Sequence, residues 1–126
     1  MSYSPTLAPS DAHEQSCVVA LHCSLSSGRQ WEPLTAALSH SHRVIAPDIS
    51  GYGGTSLPMH EPATLASEVE FLQQQLDASP GPMHLVGHSY GGAIAFRIAT
   101  ASRFAARVRS LTLIEPILPD ILLDDA

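Results

Sequence analysis

The 126-residue sequence contains no lysine; its six basic residues are all arginine. A lysine-free chain excludes a phosphate-cradling P-loop and any Schiff-base mechanism, since both need an amine. The arginines are outnumbered by twelve acidic side chains, for a formal net charge of −6. With no basic cluster there is no electrostatic footprint for nucleic acid or for an anionic membrane surface. Cysteine is scarce too. Cys17 and Cys23 would stand roughly 20 Å apart in an extended segment, far beyond the reach of a disulfide. They read as reduced thiols, which suits a cytoplasmic protein. No apolar run approaches the ~18 residues of a membrane span. The opening stretch MSYSPTLAPSDAHEQS lacks the positive start and apolar centre of a signal peptide. One more absence has the largest consequence: of seven histidines, none follows Ser89.

What is present is ample material for one core, with 44% hydrophobic and only 14% charged residues. After a polar lead-in (1–16), short apolar runs alternate with longer amphipathic ones. CVVAL (17–21), RVIA (43–46), MHLV (83–86) and SLTLI (110–114) are rich in Val, Ile and Leu and are expected to be strands buried on both faces of a parallel sheet. Between them, three stripes have helical spacing. The first is Trp31, Leu34 and Leu38, behind an expected capping box of Ser27 and Gln30. The second is Leu65, Val69, Leu72 and Leu76, with Pro62 near its start and SPGP (79–82) at its end. The third is Ile94, Ile98, Ala101 and Ala105. The β-α-β-α-β-α-β order predicts an α/β fold, a doubly wound and mainly parallel sheet with helices on both faces. The fourth strand has no strand after it and is expected to lie bare at a sheet edge.

Residues 87–91, Gly-His-Ser-Tyr-Gly, fit G-x-S-x-G between a predicted strand and a predicted helix. A nucleophile on so sharp a turn needs small neighbours two residues away on either side, which Gly87 and Gly91 supply. The same turn sets Ser89 at a helix N-terminus, where unpaired N–H groups favour developing negative charge.

At this point the sequence resembles the α/β-hydrolase superfamily, serine hydrolase branch. ALHCSLSSGRQW (20–31) is similar to that family's loop after its third strand, where His-Gly usually opens the oxyanion hole. APDISGYGGTS (46–56) resembles its Asp-x-x-Gly-x-Gly segment after the fourth strand. HLVGHSYGGAIAFRIA (84–99) resembles the nucleophile strand, elbow and helix, and VRSLTLIEP (108–116) the sixth strand. The resemblance implies the strand order 4-3-5-6, with a ligand crevice at the carboxyl ends of the third and fifth strands. It also implies Ser89 as nucleophile and the Tyr90 and Ser24 amides as oxyanion donors, each worth about 10²–10³ in rate. Cys23 departs from the pattern, standing where the family has Gly, and a side chain there would narrow the pocket or shift the loop. A serine rather than an aspartate at the elbow disfavours the dehalogenase and epoxide hydrolase branches.

The other polar residues have plainer readings. Strand alternation aims the His88 ring away from the Ser89 hydroxyl. His22 is expected to brace its loop through backbone, and Asp48 to order the loop after its strand. His84 reads as a satisfied core residue, and His13, His40, His42 and His60 as solvated, without metal-ligand spacing. GYGGTS fails as a dinucleotide fingerprint because Ser56 stands where its third Gly belongs. No metal and no cofactor is expected. Glu115 ends the fourth strand on the same edge as Ser89. Some superfamily members carry the triad acid there, although IEP is also a frequent non-catalytic ending.

Serine is a weak nucleophile until a base takes its proton, and in this family the histidine follows the eighth strand. Loss of a triad member costs roughly 10⁴–10⁶ in kcat. The expectation is therefore a partial hydrolase domain (17–116), followed by the start of an absent lid and C-terminal half (117–126). It is a truncated esterase-like enzyme acting on a small ester or acyl substrate, weakly active or inactive alone. The rival expectation is a catalytically dead hydrolase-like module that binds a ligand or a partner, including a second copy paired along the bare edge strand.

Overall fold

The computed structural model describes residues 16–49 and 64–117. Four strands, β1 (Cys17–Leu21), β2 (Arg43–Ile45), β3 (Met83–His88) and β4 (Val108–Ile114), alternate with three helices, α1 (Glu32–Leu38), α2 (Leu65–Asp77) and α3 (Tyr90–Ala101). All strand pairings are parallel, in the order β2-β1-β3-β4. This is the doubly wound pattern expected from the alternation, with its switch point between β1 and β3.

Burial follows from position in the sheet. All five residues of central β1 are buried, which its unbroken apolar run requires. On β3 only every second residue is fully buried, with Met83, Leu85 and Gly87 on the covered face. There Leu65, Val69, Leu72 and Leu76 of α2 join Ile94, Ala95 and Ile98 of α3 in one core cluster over the sheet. On the opposite face β4 shows Ser110, Thr112 and Ile114 to solvent. His84 lies on this open face, half-buried, with Nδ1 2.7 Å from the Ser110 hydroxyl. It is satisfied but is not a core residue, because the helices that bury Met83 and Leu85 lie on the other side.

Local chemistry sets the helix boundaries. Thr64 and Ser67 form a reciprocal capping box at the start of α2, each side chain accepting the other's backbone N–H at 3.0 Å. At its other end, Arg107 donates to the carbonyls of Leu76, Ser79 and Gly81. Helix α3 stops at Ala101, short of the stripe that reached Ala105. Ser102 turns extended, and its hydroxyl donates to Ile98 O and accepts the Phe104 N–H. The expected box of Ser27 and Gln30 is only half formed: Ser27 Oγ accepts the Arg29 N–H, but the Gln30 side chain is engaged elsewhere. A short 3-10 turn, Gly28–Trp31, precedes α1 as a result.

Cys17 is buried and Cys23 partly so, and both are free thiols. Burial pushes the Cys17 thiol up from its ordinary value, against the opposing pull of Arg43 and Arg107. Among the described residues no helix is long and apolar enough to cross a membrane. Apart from Ser16 and Ile117, the lead-in and the 117–126 tail lie outside the described residues, as do His13, His60, Pro62 and the GYGGTS stretch.

Candidate active site

Strand β3 and helix α3 meet at Ser89, whose backbone has φ 57° and ψ −114°. A non-glycine residue is strained there, and such strain persists only where the surroundings fix it. Here they fix it from both sides. The Ser89 N–H donates to Ile114 O at 3.0 Å, and its carbonyl accepts the N–H groups of Gly92 (2.9 Å), Ala93 (3.2 Å) and Ile117 (3.4 Å). Ser89 caps α3 by position, yet its hydroxyl makes no capping bond and has no partner among the described residues. A serine at a helix start ordinarily spends that oxygen on the helix.

Glycine is obligatory on both sides of this turn. A Cβ on Gly87 would lie 2.4 Å from Gly91 O, and one on Gly91 would lie 2.2 Å from Leu21 O and 2.4 Å from His22 O. The bare Gly91 lets the elbow press against the carboxyl end of β1. Since Leu21 pairs with Gly87, the loop after β1 and the elbow leave the sheet side by side.

That loop is held by two imidazoles of opposite tautomer. His22 is fully buried; Ile49 N–H donates to its Nε2 at 2.9 Å, so Nδ1 carries the proton and donates to Cys23 O at 2.7 Å. The peptide linking Cys23 to Ser24 is planar and trans, so a fixed Cys23 carbonyl turns the Ser24 N–H to the opposite side. Among the described residues that N–H has no partner. On the other side of Cys23, its N–H donates to Gln30 Oε1 (3.0 Å), and Gln30 Nε2 lies 2.8 Å from His88 Nδ1. Asp48 accepts the Gly28 N–H at 2.8 Å and ties the second turn of the same loop to the end of β2.

The remaining expected residues fall around this centre. Tyr90 directs its hydroxyl to Glu68 Oε2 at 2.7 Å, so its side chain belongs to the α2–α3 packing. Glu115 follows Ile114 on the edge beside Ser89, exposed, and at φ 46° it is a second strained residue there. Its carboxylate has no partner among the described residues. His40 is exposed, and His42 touches Ser41 and the edge of the His84 ring, away from the elbow. No group of three His, Cys, Asp or Glu suited to a metal occurs among the described residues.

Two residues hold places that the sequence reading did not give them, Glu68 and Gln30. Glu68 is buried on the core face of α2, and a carboxylate inside the Leu65–Val69–Leu72 stripe was its available signal. Gln30 had none, because the same glutamine fits a capping box equally well.

The family model of the Alpha/beta hydrolase family matches residues 18–126. The chain belongs to that family. Among curated relatives, Lipase LipV of Mycobacterium tuberculosis is 35% identical over 100 residues, spanning 79% of the chain and 36% of the lipase. The 2-hydroxy-6-oxo-2,4-heptadienoate hydrolase of Pseudomonas putida is 39% identical over 100 residues, 76% of the chain and 36% of that enzyme. Among solved structures, the thioesterase domain from the curacin biosynthetic pathway superposes with a TM-score of 0.73 at 29% identity, covering 85% of this chain and 38% of that one. The haloalkane dehalogenase DatA from Agrobacterium tumefaciens C58 gives 0.69 at 32% identity, over 82% and 35%. The chain thus spans little more than a third of the length of these relatives. Their names cover several reactions, so they establish the family and leave the reaction to the site.

Proposed function

We propose that the chain carries the nucleophile and oxyanion hole of a serine hydrolase acting on a small ester or acyl substrate. The observation that carries this reading is Ser89 itself, strained at the strand–helix junction with an uncommitted hydroxyl. In the reaction, Ser89 Oγ attacks the acyl carbonyl and gives its proton to a base. The oxyanion is received by the Tyr90 and Ser24 N–H groups, and its collapse expels the leaving group, which takes up that proton. Water then attacks the acyl-serine, freeing the acid and restoring the hydroxyl. The Ser24 donor is aimed by His22 through the shared peptide, which gives that buried imidazole a positioning role.

No base for Ser89 stands among the described residues. Both ring nitrogens of His22 are bonded, His88 Nδ1 faces Gln30, and no histidine follows Ser89. In this reading the histidine comes from polypeptide beyond these 126 residues or from a second chain. Glu115, at the same edge, is its candidate acid partner. The domain reading follows: 17–116 is the nucleophile-bearing part of a hydrolase domain, and 117–126 leads toward its lid.

A second reading, a hydrolase-fold module that binds a partner without catalysis, is favoured by the β4 edge. That strand is unpaired on its outer side among the described residues, with Ile114 and Ile117 each 43% exposed. A second copy pairing along β4 is the partner this reading names, and a strictly monomeric species in size-exclusion chromatography would overturn it.

Fluorophosphonate labelling, read by mass spectrometry with Ser89→Ala as control, separates the two. An adduct on Ser89 that is absent from the control supports the nucleophile. No adduct on Ser89 when the folded chain is joined to the polypeptide that supplies the histidine overturns it, since serine without its base is a weak nucleophile.

A further inference from the structure

Strands β1 and β3 run in register as far as the Leu21–Gly87 pair, and there the ladder ends. Beyond it the two chains part, one toward Ser24 and the other into the elbow. On the α3 side the close approach of Gly91 to Leu21 and His22 fixes their separation, and on the opposite face, where His88 lies, a side chain must do so. The side chain in that gap is Gln30, reaching in from the 3-10 turn before α1.

The orientation of its amide follows from its neighbours. A backbone N–H can only donate, so the group 3.0 Å from Cys23 N must be the Gln30 oxygen. The NH₂ group therefore faces His88 Nδ1 at 2.8 Å and donates to it. Nδ1 must then be unprotonated, and the neutral His88 ring carries its proton on Nε2, the reverse of His22. One amide thus continues the ladder for a further rung, joining the backbone beside Ser24 to the residue beside Ser89.

From this chain of bonds we infer that Gln30 is a positioning residue that sets the width of the crevice between the Ser24 loop and the nucleophile elbow, using the Nε2–H tautomer of His88 as its anchor. The inference rests on the reading of Ser24 and Ser89 as oxyanion donor and nucleophile. Glutamine is specifically required. Glutamate could still accept from Cys23 N–H but could not donate to His88. Alanine could do neither.

The test is the ¹⁵N spectrum of histidine-labelled chain, in solution or as a sediment, with His88 assigned from the signals lost in His88→Gln. It is combined with amide exchange at Cys23. The unsubstituted chain is expected to show His88 as the Nε2–H tautomer. In Gln30→Glu, His88 should acquire a proton on Nδ1 while Cys23 stays protected. In Gln30→Ala, Cys23 exchange should accelerate about fivefold, the loss of one ordinary hydrogen bond. A proton on His88 Nδ1 in the unsubstituted chain overturns the inference without any variant. So does an Ala variant with unchanged Cys23 exchange. Neither readout involves Ser89 chemistry: failed labelling with the histidine-bearing polypeptide present and the relay intact removes the nucleophile reading, and labelling without the relay removes only the role of Gln30.

Discussion

The Ser89 N–H donates to the carbonyl of Ile114 at 3.0 Å, tying the strained elbow to the last residue of the edge strand. The strand that leads into Ser89 and the strand that borders it therefore share one constraint. The conformation of Ser89 is imposed by its surroundings, at a cost of order 1–3 kcal/mol.

That strain can be measured. Ser89→Ala keeps the positive φ, and Ser89→Gly relieves it. We expect the glycine variant to be about 1 kcal/mol more stable than the alanine variant in urea unfolding, strain relief exceeding the entropy of an added glycine. Equal midpoints would mean the turn is relaxed.

The two glycines after the serine should respond differently. Gly91→Ala drives a methyl into the backbone oxygens of Leu21 and His22, and we expect a loss of about 3 kcal/mol or failure to fold. Gly92→Ala meets chiefly the Pro116 ring at 3.0 Å and should cost about 1 kcal/mol or less. Denaturation midpoints of both variants, followed by circular dichroism, check the ranking.

Arg107 closes the end of α2 through three carbonyls. Arg107→Ala should lose about 2–3 kcal/mol, as charged hydrogen bonds to partly buried carbonyls are removed. Arg107→Lys should recover little of it, because an ammonium cannot reproduce the planar fork. Full recovery by lysine in thermal melts would show that charge alone matters.

The Arg103–Asp77 pair gives a pH signature with a definite sign. The Arg103 guanidinium, donating to both carboxylate oxygens at 3.1 and 2.6 Å, holds the Asp77 carboxyl below its ordinary value of 3.8. A depressed folded pKa contributes stability above the unfolded value and loses it as pH falls through the folded one. The advantage of the natural chain over Asp77→Asn should therefore be present at neutral pH and vanish well below 3.8. Both side chains are half exposed, so it should also shrink with added salt. Paired urea titrations at the two pH values check it.

Much of the fold was legible because its signals are local. The β-branched runs at 17–21 and 43–46 and the stripe from Leu65 to Leu76 mark strands and helix wherever they pack. The elbow was legible because its motif is contiguous in sequence: Gly87 is demanded by Gly91 and Gly92 of the same turn, even though Gly91 is demanded by Leu21 and His22 of the neighbouring strand. The His84 environment was not. Which face of β3 is covered depends on where α2 and α3 dock, and strand alternation is silent on that. Gln30 was misread for a related reason: its partners, Cys23 and His88, come from two strands that meet only in the assembled sheet.

The close approach of Gly91 to Leu21 and His22 also bears on when the strained Ser89 turn comes into being. These groups are distant in sequence, and Ile114 must arrive as well before Ser89 is fully held. Long-range closures of this kind carry their entropy cost before they bring any reward. The five residues of the G-x-S-x-G stretch, cut free of β1 and β4, would relax to an ordinary negative φ. The strained conformation is therefore a product of completed assembly, and a chain still folding on its way from the ribosome presents Ser89 with an ordinary backbone.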